Sequence, residues 1–446
     1  MQPVTRKIFY TILVISCAAF AGFIFMNGKS KTEFPALKER TGVLAQDPEW
    51  PATQKNVANL LAQLKTKPDD TKTMLLLAKE FMQEARVTGN YSYYNKTALD
   101  LTNDALRLQP KNLDAICYQS MIYLSQHRFA EGKEVAMKGM EINPYNAFIY
   151  GLLVDANVEL GDYDAAVKMA DKMNSVRPDL RSYSRISYLR EIFGDVPGSV
   201  EAIKMAVNAG YPGREDTEWA RMVWAHLYED SNQLAKAVEQ YNMALAERPD
   251  YPFALAGLGR IAKYNKDYPA AIAYYEKARD IMSDASFYEE LIDVYLLANQ
   301  PDKAKECAQI TLNALLADNI AANTDKDSGH YSDRDIANLY LILGKTDKAY
   351  EHAQAEYNRR PLNIDANETM AWVLYQQGKY AEAAPYITAM LRTNIQKPEY
   401  LVKAGIIMTA NNQAEAGKVL IDKGLSLKPY MDETLVKTAQ SVNFKK

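Results

Sequence analysis

Four prolines, Pro110, Pro144, Pro178 and Pro212, stand 34 residues apart. Pro361 and Pro429 are separated by two such intervals. A fixed period of this length constrains a chain more than composition does, because each period must then be one structural unit that stacks on its neighbours. The unit is legible between Ala147 and Pro178. Phe148 to Leu160 is an apolar run with helical spacing, Gly161-Asp162-Tyr163 breaks it, and Ala165 to Val176 is a second helical run that Pro178 ends. Two amphipathic helices joined by a short turn make a helical hairpin. One hairpin leaves its apolar face open, so recurrence is what supplies a core.

The same register recurs. In the repeat closed by Pro249, Ala225, Ala237 and Ala244 occupy positions 8, 20 and 27, with Tyr228 and Tyr241 at 11 and 24. In the next, Leu255, Leu258, Gly259, Ala271, Tyr275 and Ala278 occupy 4, 7, 8, 20, 24 and 27, and Ser283 replaces the closing proline. Small residues let the two helices of a hairpin touch, and the tyrosine fills the gap to the next hairpin. With this period and these positions the chain resembles the tetratricopeptide repeat family. The resemblance implies an all-α superhelical solenoid of about ten hairpins over residues 71–429. Residues 53–70, with Val57, Leu60, Leu61 and Leu64 on one stripe, are expected as a capping helix, and 430–446 as a short tail. The first hairpin, Thr71 to Pro110, exceeds the period around Val87 to Tyr91, through either extended helices or a wider turn. Pro249 and Pro361 are ten residues further apart than three periods, and a polar insertion at 318–333 accounts for the excess.

Ahead of the array the sequence changes character. Residues 1–7 are basic, with Arg6 and Lys7. Ile8 to Met26 carries no charge, and at ~1.5 Å per residue spans about 28 Å of helix, enough for a bilayer core. A single transmembrane signal-anchor helix over residues 8–26 is expected, since the apolar run continues through Phe25. A cleaved secretory signal with Ala19-Phe20-Ala21 as its site, and a lipoprotein signal ending at Cys17, are the alternatives. Residues 27–52, polar and carrying Pro35, Pro48 and Pro51, read as a linker. Basic residues flank the span on both sides, so their count does not set its direction. A short basic start before an apolar run is how export signals begin, and an exported repeat domain in a bacterial periplasm or cell envelope is the expectation.

Composition narrows the function. At 48% hydrophobic and 24% charged residues the chain is a folding sequence, and its net charge of −4 argues against nucleic acid as a partner. Cys17, Cys117 and Cys307 form no CxxC pair, and His127, His226, His330 and His352 have no metal-ligand spacing. No phosphate-binding glycine loop and no nucleophile elbow occurs. Glu289-Glu290 and Asp325-Lys326-Asp327 read as solvated faces. A non-catalytic protein with no cofactor and no metal is expected.

The resemblance places the binding surface of such an array on its concave side, at positions 2, 5, 9 and 12 of each first helix. Position 2 holds Phe148, Trp219, Phe253 and Tyr331. Position 9 holds Asp155, His226, Arg260, Asp293, Asn338 and Trp372. Aromatic anchors among charged neighbours suit an extended segment of a partner protein, the alternative being that they only pack the seams between repeats. A clamp for a C-terminal carboxylate, used by one subtype of the family, needs a middle Asn. The echo here, Arg334 and Asn338, then Thr369, then Lys403, lacks it. The expected role is a membrane-attached scaffold or adaptor that recruits a protein partner. A glycan-binding accessory protein of the envelope is the alternative, because aromatic faces also stack on sugars.

Overall fold

The computed structural model describes residues 36–47, 49–325, 327–428 and 430–442. Its contacts separate Met1–Lys38 from Glu39–Lys446, and of the first unit only Ala36, Leu37 and Lys38 are described. The expected basic start 1–7, the apolar segment 8–26, the linker as far as residue 35, and Pro429 lie outside the described residues. Among the described residues no helix is long and apolar enough to cross a membrane.

The second unit is all-α. After α1 (Trp50–Thr66) come hairpins of α2 (Thr71–Thr88) with α3 (Tyr91–Leu108), α4 (Leu113–Ser125) with α5 (Phe129–Ile142), and α6 (Ala147–Leu160) with α7 (Tyr163–Val176). Then follow α8 (Leu180–Ile192) with α9 (Val196–Ala209), α10 (Glu215–Glu229) with α11 (Leu234–Glu247), and α12 (Pro252–Tyr264) with α13 (Tyr268–Ile281). The last four pair α14 (Ala285–Leu297) with α15 (Pro301–Thr324), α16 (Asp333–Ile342) with α17 (Thr346–Arg359), α18 (Ile364–Gln376) with α19 (Tyr380–Met390), and α20 (Pro398–Ala410) with α21 (Ala414–Leu427). The helix α22 (Glu433–Ser441) ends the unit, with Leu435 and Ala439 packed on Val402, Ile406 and Ile421.

Local chemistry explains the repetition. Each turn inside a hairpin holds one residue with left-handed backbone, among them Gly161 (φ 78°), Gly194 (φ 76°), Asn299 (φ 57°) and Asn412 (φ 62°). Gly and Asn enter this region at the least cost. The next N–H then returns to a carbonyl five residues back, as Asp162 N to Asn157 O at 2.8 Å and Gln413 N to Met408 O at 2.9 Å, which closes the first helix. Asp162, Asp195 and Asp267 then cap the second helix through its first N–H groups. At the contact between the two helices Ala225, Ala237, Ala244, Ala271 and Ala278 are fully buried, and so are Tyr241 and Tyr275. The small-residue register therefore packs as the repeat pattern implies.

Two expectations change, and one alternative is decided. The end of the linker is no tether: Arg40 is buried and donates from Nε to Glu84 Oε2 at 3.1 Å, with its guanidinium 4.8 Å from the Trp50 ring. A carboxylate buried on α2 needs a cation, and this stretch supplies it. The excess of the first hairpin lies in its helices, 18 residues each, and not in a wide turn. The polar insertion is helical as far as Thr324, making α15 a 24-residue helix with Asn319 and Ala322 buried on the array.

The unit closes on itself. Turns of the early hairpins dock on loops about 200 residues later. Asn363 Nδ2 donates to Val158 O at 3.3 Å, and Arg392 Nη2 to Gly161 O at 2.7 Å. Arg360 pairs with Glu159, and Lys428 Nζ lies 2.9 Å from Asp230. Tyr331 N donates to Gln126 O at 3.3 Å. A Cβ on Gly161 would collide with the Leu362 carbonyl, and one on Gly194 with Asn394 O. Successive turns of the superhelix are thus in contact, and one hydrophobic core runs from Val154, Val158 and Tyr163 into Ile364 and Ile407.

A candidate interaction surface on the inner face

Hairpins stacked at a constant period place residues some thirty positions apart on neighbouring first helices, and these residues form a ladder of ion pairs. Asp155 holds Arg185, with Oδ2 to Nη2 at 2.6 Å. Arg260 donates to Glu229 at 3.1 Å, to the Tyr241 hydroxyl at 2.9 Å and to His226 Nε2 at 3.0 Å. Lys263 lies 2.5 Å from Glu290 and 2.7 Å from Asp293. Asp155, His226, Arg260 and Asp293 thus meet partners on the adjacent helix.

These side chains face an enclosed space. Tyr188 keeps 41% of its surface accessible, yet burial pushes its hydroxyl well above the ordinary tyrosine range. Enclosure acts on carboxylates in the same way. Burial, with the Arg360 guanidinium opposing it, brings Glu159 up to about 7, and burial brings Glu191 to about 7. Burial and the nearby Asp335 lift Glu289 to about 8. Burial also works to raise Glu290, but the Lys263 ammonium and Arg260 override it and hold this carboxyl at about 2. The adjacent pair Glu289-Glu290 is therefore not the solvated face its sequence implies, because both groups line this interior.

The cations are outnumbered. Lys263 is shared by Glu290 and Asp293, Lys428 by Asp230 and Glu399, Arg360 by Glu159 and Glu356, and Arg334 by Asp365 and Glu368. Among the described residues no group of three or more His, Cys, Asp or Glu converges as a metal ion would require.

The aromatic positions fall in four places. Trp219, 45% exposed, meets Phe253 edge to face at 4.9 Å, and Phe253 meets Phe287 at 5.4 Å. Phe148 lies under the Arg181 guanidinium at 5.6 Å, beside a groove of about 340 Å³. Trp372 stacks on Tyr375 at 5.0 Å with the Lys403 ammonium 5.1 Å from its ring. Tyr331 sits in the contact between turns, where Arg359 covers its ring at 4.5 Å. Asn338 is half-buried on α16. Thr369 is buried and bonds back to Asp365 O at 3.1 Å, and Lys403 is taken by Glu368, so the carboxylate-clamp echo is not assembled. Sequence reading missed Tyr188, Glu191, Phe287 and Asp335. In the register that puts Asp293 and Asn338 at position 9, Phe287 and Asp335 fall at 3 and 6, and the enclosure that matters comes from the opposite turn.

A family model of the tetratricopeptide repeat matches residues 222–286 and 334–420. A TPR repeat-containing protein of Methanocaldococcus jannaschii is 20% identical over 369 residues, 72% of this chain and 64% of that protein, so the chain spans less than two thirds of the relative's length. Among solved structures, a thermophilic TPR protein of Thermus thermophilus aligns over 46% of this chain and 98% of its own, with TM-score 0.37 and 19% identity. Yeast Tom70 aligns over 89% and 93%, with TM-score 0.38 and 12% identity. PilW, a type IV pilus biogenesis factor, aligns over 45% and 91%, with TM-score 0.37 and 16% identity. Over residues 222–286 and 334–420 the chain is similar to tetratricopeptide repeats, and its stacked helical hairpins have the architecture such repeats form.

Proposed function

We propose that this chain is a membrane-attached scaffold whose inner face holds an extended segment of a partner protein bearing lysine or arginine. The charge of that face carries the reading. Its cations are shared between carboxylates, and the side-chain carboxylates of Glu191, Glu289 and Asp335 make no hydrogen bond or ion pair among the described residues. Asp335, lifted only to about 6, is ionised at neutral pH, and Glu191 and Glu289, at about 7 and about 8, ionise when a cation approaches, in surroundings that screen the pair less than water would. The exposed ring of Trp219 offers an apolar anchor beside them. Attachment through residues 8–26 and export into a bacterial envelope belong to the proposal on the sequence pattern alone.

The test is fluorescence anisotropy of a labelled lysine-rich peptide and an acidic peptide of equal length with the full-length protein. The basic peptide is expected to bind and to weaken at least about tenfold between roughly 50 and 300 mM salt. Equal binding of the two peptides overturns the reading. A Trp219→Ala/Phe253→Ala variant with unchanged circular dichroism is expected to lose partners captured from membranes. Retention of the protein on polysaccharide, with no protein captured, would favour glycan binding.

A further inference from the structure

Where the two turns of the superhelix meet, they enclose a cavity of about 270 Å³. Its walls come from opposite turns: His127, Glu159 and Tyr188 on one side, Arg334, Asp335 and Arg360 on the other. Arg360 is satisfied by Glu159 and Glu356. Arg334 is not. Its terminal nitrogens are 3.7 Å from Asp365 and 3.8 Å from Glu368, beyond hydrogen-bond length, and its Nε is enclosed without an acceptor. No hydrogen bond from Arg334 is formed among the described residues. The carboxylate of its neighbour Asp335 has neither hydrogen bond nor ion pair among them; burial lifts it to about 6 against the pull of the Arg334 and Arg360 guanidiniums.

A guanidinium with no acceptor in hydrogen-bond reach and a carboxylate with no donor, side by side on one cavity, define the complement of what fits. The occupant must bring a cation for Asp335 and an oxygen for Arg334, close together. The volume is near the lower end of ligand pockets, roughly 300 Å³, so one residue's worth of ligand fits and a long segment does not. We propose that this cavity binds a primary ammonium flanked by a carbonyl or carboxylate oxygen, the chemistry of a polypeptide N-terminus or of a free α-amino acid. The inference rests on the inner face being the ligand surface. It adds that the partner segment is held by its first residue.

Isothermal titration calorimetry of the full-length protein tests this with three probes: a tetrapeptide amide Ala-Lys-Ala-Lys with a free N-terminus, the same peptide N-acetylated, and L-alanine. Acetylation is expected to weaken binding at least tenfold. Asp335→Asn is expected to bring the free peptide down to the acetylated one while leaving the melting temperature unchanged, since Asp335 holds no partner. Should that variant melt lower, Tyr188→Trp, which fills the cavity from the opposite wall, gives the same readout. Competition by L-alanine at similar affinity identifies a free amino acid as the source, and its failure identifies a chain terminus. Equal binding of both peptides, unchanged by Asp335→Asn, overturns the inference and leaves the basic-segment reading standing. No binding by any probe overturns both.

Discussion

The backbone N–H of Ile364 donates to the Tyr163 hydroxyl at 3.0 Å, across 201 residues of sequence. Tyr163 begins the second helix of one hairpin and Ile364 begins the first helix of another, so this bond joins two turns of the superhelix. The Arg392 guanidinium lies 4.9 Å from the same Tyr163 ring and donates to Gly161 O. An open solenoid gains stability only from neighbouring repeats. Here the inter-turn contacts add long-range bonds, and they turn a concave face into an enclosed one.

Glycine substitutions separate the seam from the turn. Gly161 and Gly344 occupy equivalent turns with φ of 78° and 67°. A Cβ at Gly344 meets nothing within 4 Å, whereas one at Gly161 collides with Leu362. Gly344→Ala is expected to cost about 1 kcal/mol for the left-handed backbone alone. Gly161→Ala is expected to cost that and ~1–2 kcal/mol more, and to raise the radius of gyration measured by small-angle scattering. Equal losses for the two variants, with no expansion, would show that the seam contributes nothing to the closed form.

Within a hairpin the repeat register makes its own prediction. Ala237 is fully buried and Tyr241 fills the space one turn on. Ala237→Leu forces extra methyl groups into that contact and is expected to cost ~1–3 kcal/mol in chemical denaturation. An unchanged midpoint would contradict the close approach of α10 and α11.

The ladder of charges is testable at its most buried rung. Glu229 is buried and its two oxygens are taken by the Tyr241 hydroxyl at 2.7 Å and the Arg260 Nε at 3.1 Å. Arg260→Met leaves that carboxylate without its cation and is expected to cost ~3 kcal/mol. Adding Glu229→Gln should restore part of the loss, because a neutral amide needs no counter-charge. A double variant as unstable as the sum of the singles would remove the pairing from the account.

The period made the fold legible: prolines 34 residues apart, alanines at the helix contact and Gly or Asn in the turns are all local signals, and each depends only on one hairpin. Positions 2 and 9 also led to Asp155, His226, Arg260 and Asp293, because residues one repeat apart face each other in any stacked array. Residues 40–50 read as a tether because nothing local marks Arg40 as the counter-ion of Glu84, 44 positions away. The seam was illegible for the same reason at larger scale. Whether Gly161 meets Leu362 depends on the sum of small rotations across the intervening hairpins, and no motif records that sum. Glu289 and Glu290 are chemically identical neighbours, yet only Glu290 finds Lys263, so their opposite behaviour exists only in the folded array.

That closure has a pH signature centred on His127. Its Nδ1 lies 2.8 Å from Tyr331 O, and since a carbonyl only accepts, the neutral ring carries its proton on that nitrogen. Burial first, then the Arg360 guanidinium, lowers its pKa from 6.5 to about 4, against the opposing pull of the Tyr331 carbonyl. Between pH 6.5 and 4 the unfolded chain therefore binds a proton that the folded chain refuses. The contribution is complete above about pH 6.5 and is lost as the pH falls towards about 4, on the order of 1 kcal/mol at pH 5 once partial exposure is allowed for. Raised carboxylates such as Glu159, at about 7, act in the opposite sense, since their protonated form is favoured by the fold and stability falls as pH rises from 4.5. A whole-protein curve mixes the two, so a difference isolates the histidine. His127→Asn keeps a residue suited to the left-handed backbone at φ 58° and removes the titration. The stability gap between parent and variant is expected to shift in the variant's favour from about pH 7 to about pH 5, with the parent imidazole staying neutral by NMR throughout. A gap that does not move, or an imidazole that titrates near its ordinary value of 6.5, would mean that His127 reaches solvent and that the turns do not enclose it.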